Sequence, residues 1–420
     1  MADFSLFLPC AAGAEGFLSE EVRRLTGATQ AKTGRAGVQV EAGWNEVLRL
    51  NLHSRLAQRV LVQVAHAPYR GEADLYEVAA AVPWEDWFTP RERFKVELTA
   101  QHSPLKSLNF ATLKVKDAVA DRFRAHGGAR PDVDTQRPHV RLYAHLTATH
   151  CTLYVDTSGE PLFKRGWRED KGEAPLKETL AAAMLAASGW KPSTGPGQAP
   201  ALPLYDPCCG SGTIAIEAAQ IACGIAPGAL RGFAFERLRP FERGAWSALK
   251  QEAQAAVHAP TAPVFGSDVA FRMVDFAQRN AQRAGVAHAV QFRGGDALQR
   301  TPPSDVPGVL LLNPPYGERI GTAGVAGQTQ RGRERAQAPE EGPEFFSALA
   351  AHWKRHYAGW SAWVLTPDLK LPSRMRLKES RRVPMWNGPI ECRLFRFDMV
   401  AGSARAASAA RGEGDAAAGA

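Results

Sequence analysis

At 420 residues the chain is long enough for two or three domains, since a single core stops growing well below that size. Hydrophobic residues make up 45% and charged ones 22%, as in ordinary globular proteins, and no apolar run approaches the roughly 18 residues needed to cross a bilayer. The net charge of +8 suits an anionic partner such as RNA without establishing one, and the six cysteines (Cys10, Cys151, Cys208, Cys209, Cys223, Cys392) have neither disulfide-framework nor zinc spacing, so no metal is expected.

The start, Met1 to Cys10, is apolar but short and carries Asp3 where a signal peptide has Lys or Arg, so a cytoplasmic location is expected. The first 165 residues mix amphipathic helices, predicted over Gly16 to Leu25, Trp44 to Leu52 and Lys114 to Ala125, with short alternating strands. The strands fall at Val38 to Glu41, Arg59 to Ala65, Phe94 to Leu98, Val140 to Leu146 and Cys151 to Asp156. An α+β module, or two small ones in series, is the expected content. Basic residues recur among aromatic ones here, Lys114, Lys116 and Arg122 on one helix beside Phe110 and Phe123. That pattern fits an RNA-contacting face, and equally a solvated one.

Further along, Pro175 to Leu185 reads as a helix with Pro in its first turn, and a Pro/Gly-rich stretch, Trp190 to Pro200, separates it from a strand at Ala201 to Tyr205. Strands and helices then alternate: helix Thr213 to Cys223, strand Val264 to Asp268, helix Val274 to Ala284, an extended Ala289 to Phe292, strand Val309 to Leu312, helix Phe345 to Tyr357, strand Ser361 to Leu365. Continuous apolar strands in such alternation predict an α/β fold with an open, largely parallel sheet, whose ligands bind at the carboxyl ends of the strands. A Gly- and Arg-rich stretch around Ala226 to Ala262 interrupts the alternation but keeps Phe233, Phe235 and Trp246 as anchors. Gly321 to Gly342 reads as a mobile loop, and Ala401 to Ala420 as a disordered tail.

The chemistry sits at the strand ends. Asp206-Pro207-Cys208-Cys209-Gly210-Ser211-Gly212-Thr213 follows a strand and opens a helix. Its glycines let the backbone turn sharply and approach a ligand, and the helix start offers free N–H groups to a carboxylate. No Lys follows, so this is not a P-loop, and G-S-G-T is not a dinucleotide fingerprint. A carboxylate at Asp206 repels phosphate and suits the amino group of a methionine moiety, which points to S-adenosylmethionine. Asp268 is placed to accept from ribose hydroxyls and Asp296 from an adenine amino group; a strand-end Asp also serves as a helix cap.

Asn313-Pro314-Pro315-Tyr316 follows the apolar strand Val309 to Leu312. An exocyclic base amine is a poor nucleophile because its lone pair is delocalised into the ring. Acceptors on both N–H groups, the Asn313 side chain and the Pro314 carbonyl, favour a pyramidal nitrogen and free the lone pair for a methyl donor. Two prolines stiffen the turn, and Tyr316 offers a ring for a flipped base. No cysteine nucleophile lies in this loop, so the motif favours nitrogen over carbon.

These residues resemble the amino-group methyltransferases. Arg165-Gly166-Trp167-Arg168, Pro175 to Ala183 and Asn313 to Arg319 are more narrowly similar to the THUMP-domain RNA methyltransferases, above all the bacterial 23S rRNA guanine-N2 enzymes, across about Phe4 to Asp398. The resemblance implies a ferredoxin-like portion at 1–43, a THUMP RNA-binding domain at 44–160, a Rossmann-like S-adenosylmethionine methyltransferase domain at 161–400 and a tail at 401–420. It implies structured RNA, 23S rRNA or a large-subunit precursor, as partner, with Lys114, Lys116, Arg122, Arg165 and Arg168 as RNA contacts. Asn313, Pro314, Pro315 and Tyr316 would be catalytic. Asp206, Pro207, Cys208, Gly210, Ser211, Gly212, Thr213, Asp268, Asp296 and Asn313 would hold the cofactor. Some members fuse a second methyltransferase domain, which this sequence lacks, so a single activity is expected. The Gly321 to Gly342 insertion is longer than the resemblance implies. A tRNA guanine-N2, DNA adenine-N6 or glutamine-amide methyltransferase shares the chemistry; a non-catalytic RNA-binding assembly factor is the alternative of another class.

Overall fold

Residues 3–172, 175–192, 201–314 and 342–400 are described by the structure, a computed structural model. They divide into two compact units, Met1–Gly166 with Ile225–Val257, and Trp167–Gly224 with His258–Ala420.

The first unit contains β1 (Phe4–Pro9), α1 (Glu15–Thr26), β2 (Lys32–Gly34), β3 (Gly37–Ala42), α2 (Trp44–His53), β4 (Leu61–Pro68), α3 (Glu72–Ala81), β5 (Phe94–Ala100), α4 (Leu108–Gly127), β6 (Val140–Leu146) and β7 (His150–Asp156). Its strands alternate as half-buried strands should: Leu6 and Leu8 of β1, Val38 and Val40 of β3, and Leu142 and Leu146 of β6 point into the core. All seven strands form one sheet, in the order β2-β3-β1-β4-β7-β6-β5. The two modules expected in series therefore share a sheet, joined where Leu6 and Phe7 of β1 pair antiparallel with Val62 and Leu61 of β4. Helix α4 begins earlier than its periodicity suggests, because Ser107 caps it by accepting from the Phe110 amide at 3.2 Å.

The second unit follows in chain order with α5 (Glu178–Ser188), β8 (Leu204–Asp206) and α6 (Thr213–Ala222). The chain then supplies α7 (Arg243–Ala255) to the first unit, where Trp246 packs edge-on against Phe233 and Phe235 at ring separations of 5.6 and 5.0 Å. It returns with β9 (Val264–Asp268), α8 (Phe271–Arg283), β10 (Val290–Gly294), β11 (Val309–Leu312), α9 (Gly342–His356), β12 (Ser361–Thr366), α10 (Leu371–Met375), β13 (Arg381–Asn387) and β14 (Ile390–Asp398).

The second sheet has the order β10-β9-β8-β11-β12-β14-β13. The first five strands are mutually parallel, as the apolar runs predicted, and β11 is buried throughout. The hairpin β13–β14 was not anticipated: β14 is antiparallel to both β12 and β13, so the sheet is mixed. Leu310 and Leu312 pack with Leu349 and Trp353 of α9 and with Phe395 and Phe397 of β14 in one core cluster. This is a Rossmann-like, doubly wound α/β arrangement. Chain order reverses between β8 and β11, and the crevice at their carboxyl ends is where such sheets hold ligands. No described helix is long and apolar enough to cross a membrane.

Candidate active site

Four parallel strands deliver the four motifs to one end of the sheet. Asp206 closes β8, Asp268 closes β9, Asp296 lies two residues past β10, and Asn313 directly follows β11. The glycine loop is tied across this end: the Gly210 amide donates to Asp268 Oδ2 at 2.9 Å, and the Cys209 amide to the Ser267 carbonyl at 2.9 Å. Asp268 Oδ1 also accepts from the Ala270 amide at 2.9 Å, closing the turn before α8 while the carboxylate holds the loop. Asp296 accepts from the Leu298 amide at 2.9 Å. A cavity of about 430 Å³ lined by Pro263, Val264 and Ala289 lies at the opposite, amino ends of β9 and β10, away from this chemistry.

Gly212 is required by both conformation and space. Its φ is +89°, and a Cβ there would sit 3.0 Å from both Ala277 Cβ and Phe292 Cζ. We expect Gly212→Ala to cost roughly 1–3 kcal/mol of stability and to weaken cofactor binding, read from the denaturation midpoint and from calorimetric titration. Unchanged binding would mean the loop tolerates a side chain where packing says it cannot.

Asp206 is 1% exposed. Burial pushes its carboxyl well above the usual carboxylate range; its bond from the Cys208 amide pulls the other way, and the neighbouring Asp268 carboxylate pushes it further up. Burial likewise raises the Cys208 and Cys209 thiols, so neither supplies a thiolate. Their small side chains fit the turn, and neither is in a disulfide.

Asn313 carries the most telling feature. Its Oδ1 is buried and has no hydrogen-bond partner among the described residues. Leaving such an acceptor unpaired costs about 1–3 kcal/mol, a cost that persists where a ligand supplies the missing donor. Pro314, next to it, is buried. Pro315 and Tyr316 lie outside the described residues, as do Gly321 to Glu341 and the tail from 401 onward.

The expected RNA contacts divide. Lys114 rests over the ring of Phe110, which is 48% exposed, on an open part of α4, and Lys116 is paired with Asp117 at 2.9 Å. The three arginines have partners within the chain. Arg122 is paired with Glu85, its Nε at 3.0 Å. Arg165 is 1% exposed and donates to the Leu162 and Arg55 carbonyls at 2.9 and 2.8 Å. Arg168 bonds the buried Glu178 at 2.7 Å and reaches Thr213 Oγ1 at 2.7 Å and Ser211 Oγ at 3.4 Å. Each spends its guanidinium internally, which a phosphate contact would have to break.

Arg168 belongs to a network the sequence reading missed. Asn280 of α8, fully buried, donates through Nδ2 to the Asp170 carbonyl at 2.9 Å and the Ser211 carbonyl at 3.1 Å. Arg283 bonds the Trp167 carbonyl at 3.0 Å and Asp170 Oδ2 at 2.5 Å. Together these lash residues 167–170 to α8 and to the glycine loop. The only signal in the sequence was Glu178, a lone acid on an otherwise apolar helix face.

Three family models match the chain in series: the RlmL ferredoxin-like domain over residues 5–61, the THUMP domain over 69–156, and the RMKL-like methyltransferase domain over 165–329. The ribosomal RNA large subunit methyltransferase K/L of Psychromonas ingrahamii is 35% identical over 399 residues, covering 94% of this chain and 50% of its own length. That of Shewanella loihica is 37% identical over 406 residues, covering 96% and 54%. The chain is thus similar to the K/L methyltransferases over about half of their length, and the expectation of a single activity draws no support from them. Among solved structures, SMU.472, assigned as a methyltransferase and complexed with SAH, superposes on this chain with a TM-score of 0.82 at 26% identity, covering 96% of this chain and all of the other. A predicted N6-adenine-specific DNA methylase from Listeria monocytogenes gives 0.79 at 29% identity, covering 94% and 96%. The second unit thus has the S-adenosylmethionine-dependent methyltransferase fold, and its strand-end acids and tight glycine turn are of the kind that cofactor needs.

Proposed function

We propose that this chain is an S-adenosylmethionine-dependent RNA methyltransferase acting on the exocyclic N2 of a guanine in 23S rRNA. The observation that carries the reading is the buried, partnerless Oδ1 of Asn313 at the carboxyl end of β11. The cofactor supplies an electrophilic methyl group; everything else is positioning by the chain. Asp206 takes the cofactor's amino group, and Gly210, Ser211, Gly212 and Thr213, with Pro207 and Cys208 in the turn, wrap its amino-acid end. Asp268 takes the ribose and Asp296 the adenine. Asn313 Oδ1 and the Pro314 carbonyl accept from the two N–H groups of the target amine, which turns its lone pair toward the methyl. Tyr316 supplies the ring beneath the base, and Pro315 stiffens the turn. Lys114 and Lys116 remain as RNA contacts. The K/L names support large-subunit rRNA, and the motif resemblance supports guanine N2.

The test is transfer of labelled methyl to 23S rRNA followed by nucleoside analysis. N2-methylguanosine is expected; N6-methyladenosine, or a product confined to tRNA, overturns the substrate. RNA binding with no transfer to any RNA would leave an assembly factor.

A second measurement probes Asp206. Its raised pKa means that, in the free protein, its contribution to stability is full below the unfolded value of 3.8 and is lost as pH rises through the folded value. A cationic amino group prefers the ionised carboxylate, so cofactor affinity runs the other way and rises with pH while binding releases a proton. Titrations of SAH in buffers of different ionisation enthalpy should show that release, and Asp206→Asn should abolish it. A wild-type profile that is flat with pH would remove Asp206 from this role.

A further inference from the structure

The sheet continues past Asn313 to a strongly basic edge that the sequence reading did not use. Between Asp368 and Asp398 the chain carries eight cations (Lys370, Arg374, Arg376, Lys378, Arg381, Arg382, Arg393, Arg396) against four acids, a net +4 out of +8 for all 420 residues. Four of these cations are neutralised: Arg374 by Asp368, Arg382 by Glu379, Arg393 by Glu391 and Arg396 by Asp398. Lys370, Lys378 and Arg381 are exposed and have no ion-pair partner among the described residues.

Strand register runs this charge along the sheet edge past the candidate site: Arg381 pairs with Arg396, opposite Trp363 and so level with Leu311, two residues short of Asn313, and the hairpin continues from there toward its tip. Leu312 pairs with Val364, so Asn313 is level with Leu365, and the next residue of β12, Thr366, pairs with Arg393 of β14, which pairs with Pro384 of β13. Three strand spacings, about 14 Å, separate β11 from β13. Beyond Pro384 the hairpin runs three more residues to Asn387, so its tip projects roughly 10 Å past the carboxyl edge, on the side of Asn313. That tip carries Trp386, half-buried, and Ile390, 44% exposed; Leu369, 56% exposed, and Lys370 lie in the turn that follows the end of β12.

We propose that the Leu369–Arg381 segment and the β13–β14 tip form a platform for the RNA flanking the target base. Lys370, Lys378 and Arg381 take phosphates, and Trp386 stacks a neighbouring base. Unneutralised cations interleaved with aromatic and apolar surface are what single-stranded nucleic acid requires, whereas a protein-docking core is depleted of charge. The inference rests on the RNA-methyltransferase reading above and adds a second RNA surface, on the unit that carries the chemistry.

The experiment compares binding of a 23S rRNA transcript across a salt series for the full chain and for Lys370→Ala/Lys378→Ala/Arg381→Ala. Affinity should fall at least about tenfold near physiological salt, and the slope of log affinity against log salt should shrink by about 2, three contacts at about 0.7 each. Lys370→Arg/Lys378→Arg should retain both. Trp386→Ala should weaken binding and leave the slope unchanged. SAH affinity is the control: its loss in the triple variant would assign the effect to the fold and count against the platform, as would unchanged RNA affinity and slope. A wild-type chain that neither binds nor methylates the transcript overturns the RNA reading itself, a result distinct from a working wild type with an unaffected triple variant.

Discussion

Asn313→Ala lowers methyl transfer by about 10²–10³-fold in single-turnover assays while SAH affinity changes by no more than a few-fold. The acceptor it removes acts on the target nitrogen as charge develops there, so the loss falls on the chemical step rather than on cofactor binding. Stability should move in an uncommon direction. Truncating a buried polar residue usually destabilises, but here Oδ1 has no partner among the described residues, so the variant relieves an unpaid desolvation of about 1–3 kcal/mol. The lost packing offsets part of that, and the midpoint of unfolding should be unchanged or higher. Asn313→Asp keeps an acceptor oxygen and should retain more activity than the alanine variant. Wild-type transfer rates in Asn313→Ala would end the proposed role of this residue.

Arg168→Met should be the most destabilising change in the second unit, costing about 3–5 kcal/mol at neutral pH. The side chains of Arg168 and Glu178 are 13% and 4% exposed, so removing the guanidinium strands a carboxylate away from water. Burial already pushes Glu178 upward and Arg168 partly offsets it; without the arginine the folded-state pKa rises further. A raised acid favours the folded state below its unfolded pKa and loses that contribution as pH rises, so the penalty in Arg168→Met should grow from acid to neutral pH. Adding Glu178→Gln should recover much of the stability, because the buried charge goes with its partner. Cofactor affinity should stay reduced in the double variant, since the bonds to Ser211 and Thr213 that hold the glycine loop are not restored. Full recovery of SAH binding would make the pair purely structural. A penalty that does not vary with pH would mean Glu178 stays ionised.

Much of this was legible in local chemistry. The parallel strands announced themselves as apolar runs ending in Asp206, Asp268 and Asn313, because a strand buried on both faces has no room for polar residues until it emerges. The hairpin β13–β14 was not visible. Arg381, Arg382, Arg393 and Arg396 punctuate it, Pro384 interrupts it, and Arg396 lies over the Trp363 ring, a cation–aromatic contact that no alternation pattern encodes. Helix α7, whose face bears Trp246 and Leu249, is hidden in the sequence because the Gly- and Arg-rich residues around it dominate the window.

The arginines show the limit most clearly. Arg122, Arg165 and Arg168 have the same intrinsic charge as any surface arginine, and residue type alone suggested RNA. Packing buries Arg165 and sets Glu85 and Glu178 opposite the other two, partners that residue type could not reveal. The sequence by itself determined the strand-end acids, the glycine turn and the Asn-Pro-Pro-Tyr motif, because these depend on local backbone geometry and residue chemistry. Which cations remain free, which loop is lashed to which helix, and that Asn313 Oδ1 is left without a partner depend on residues far apart in the chain, and only their packing could decide them.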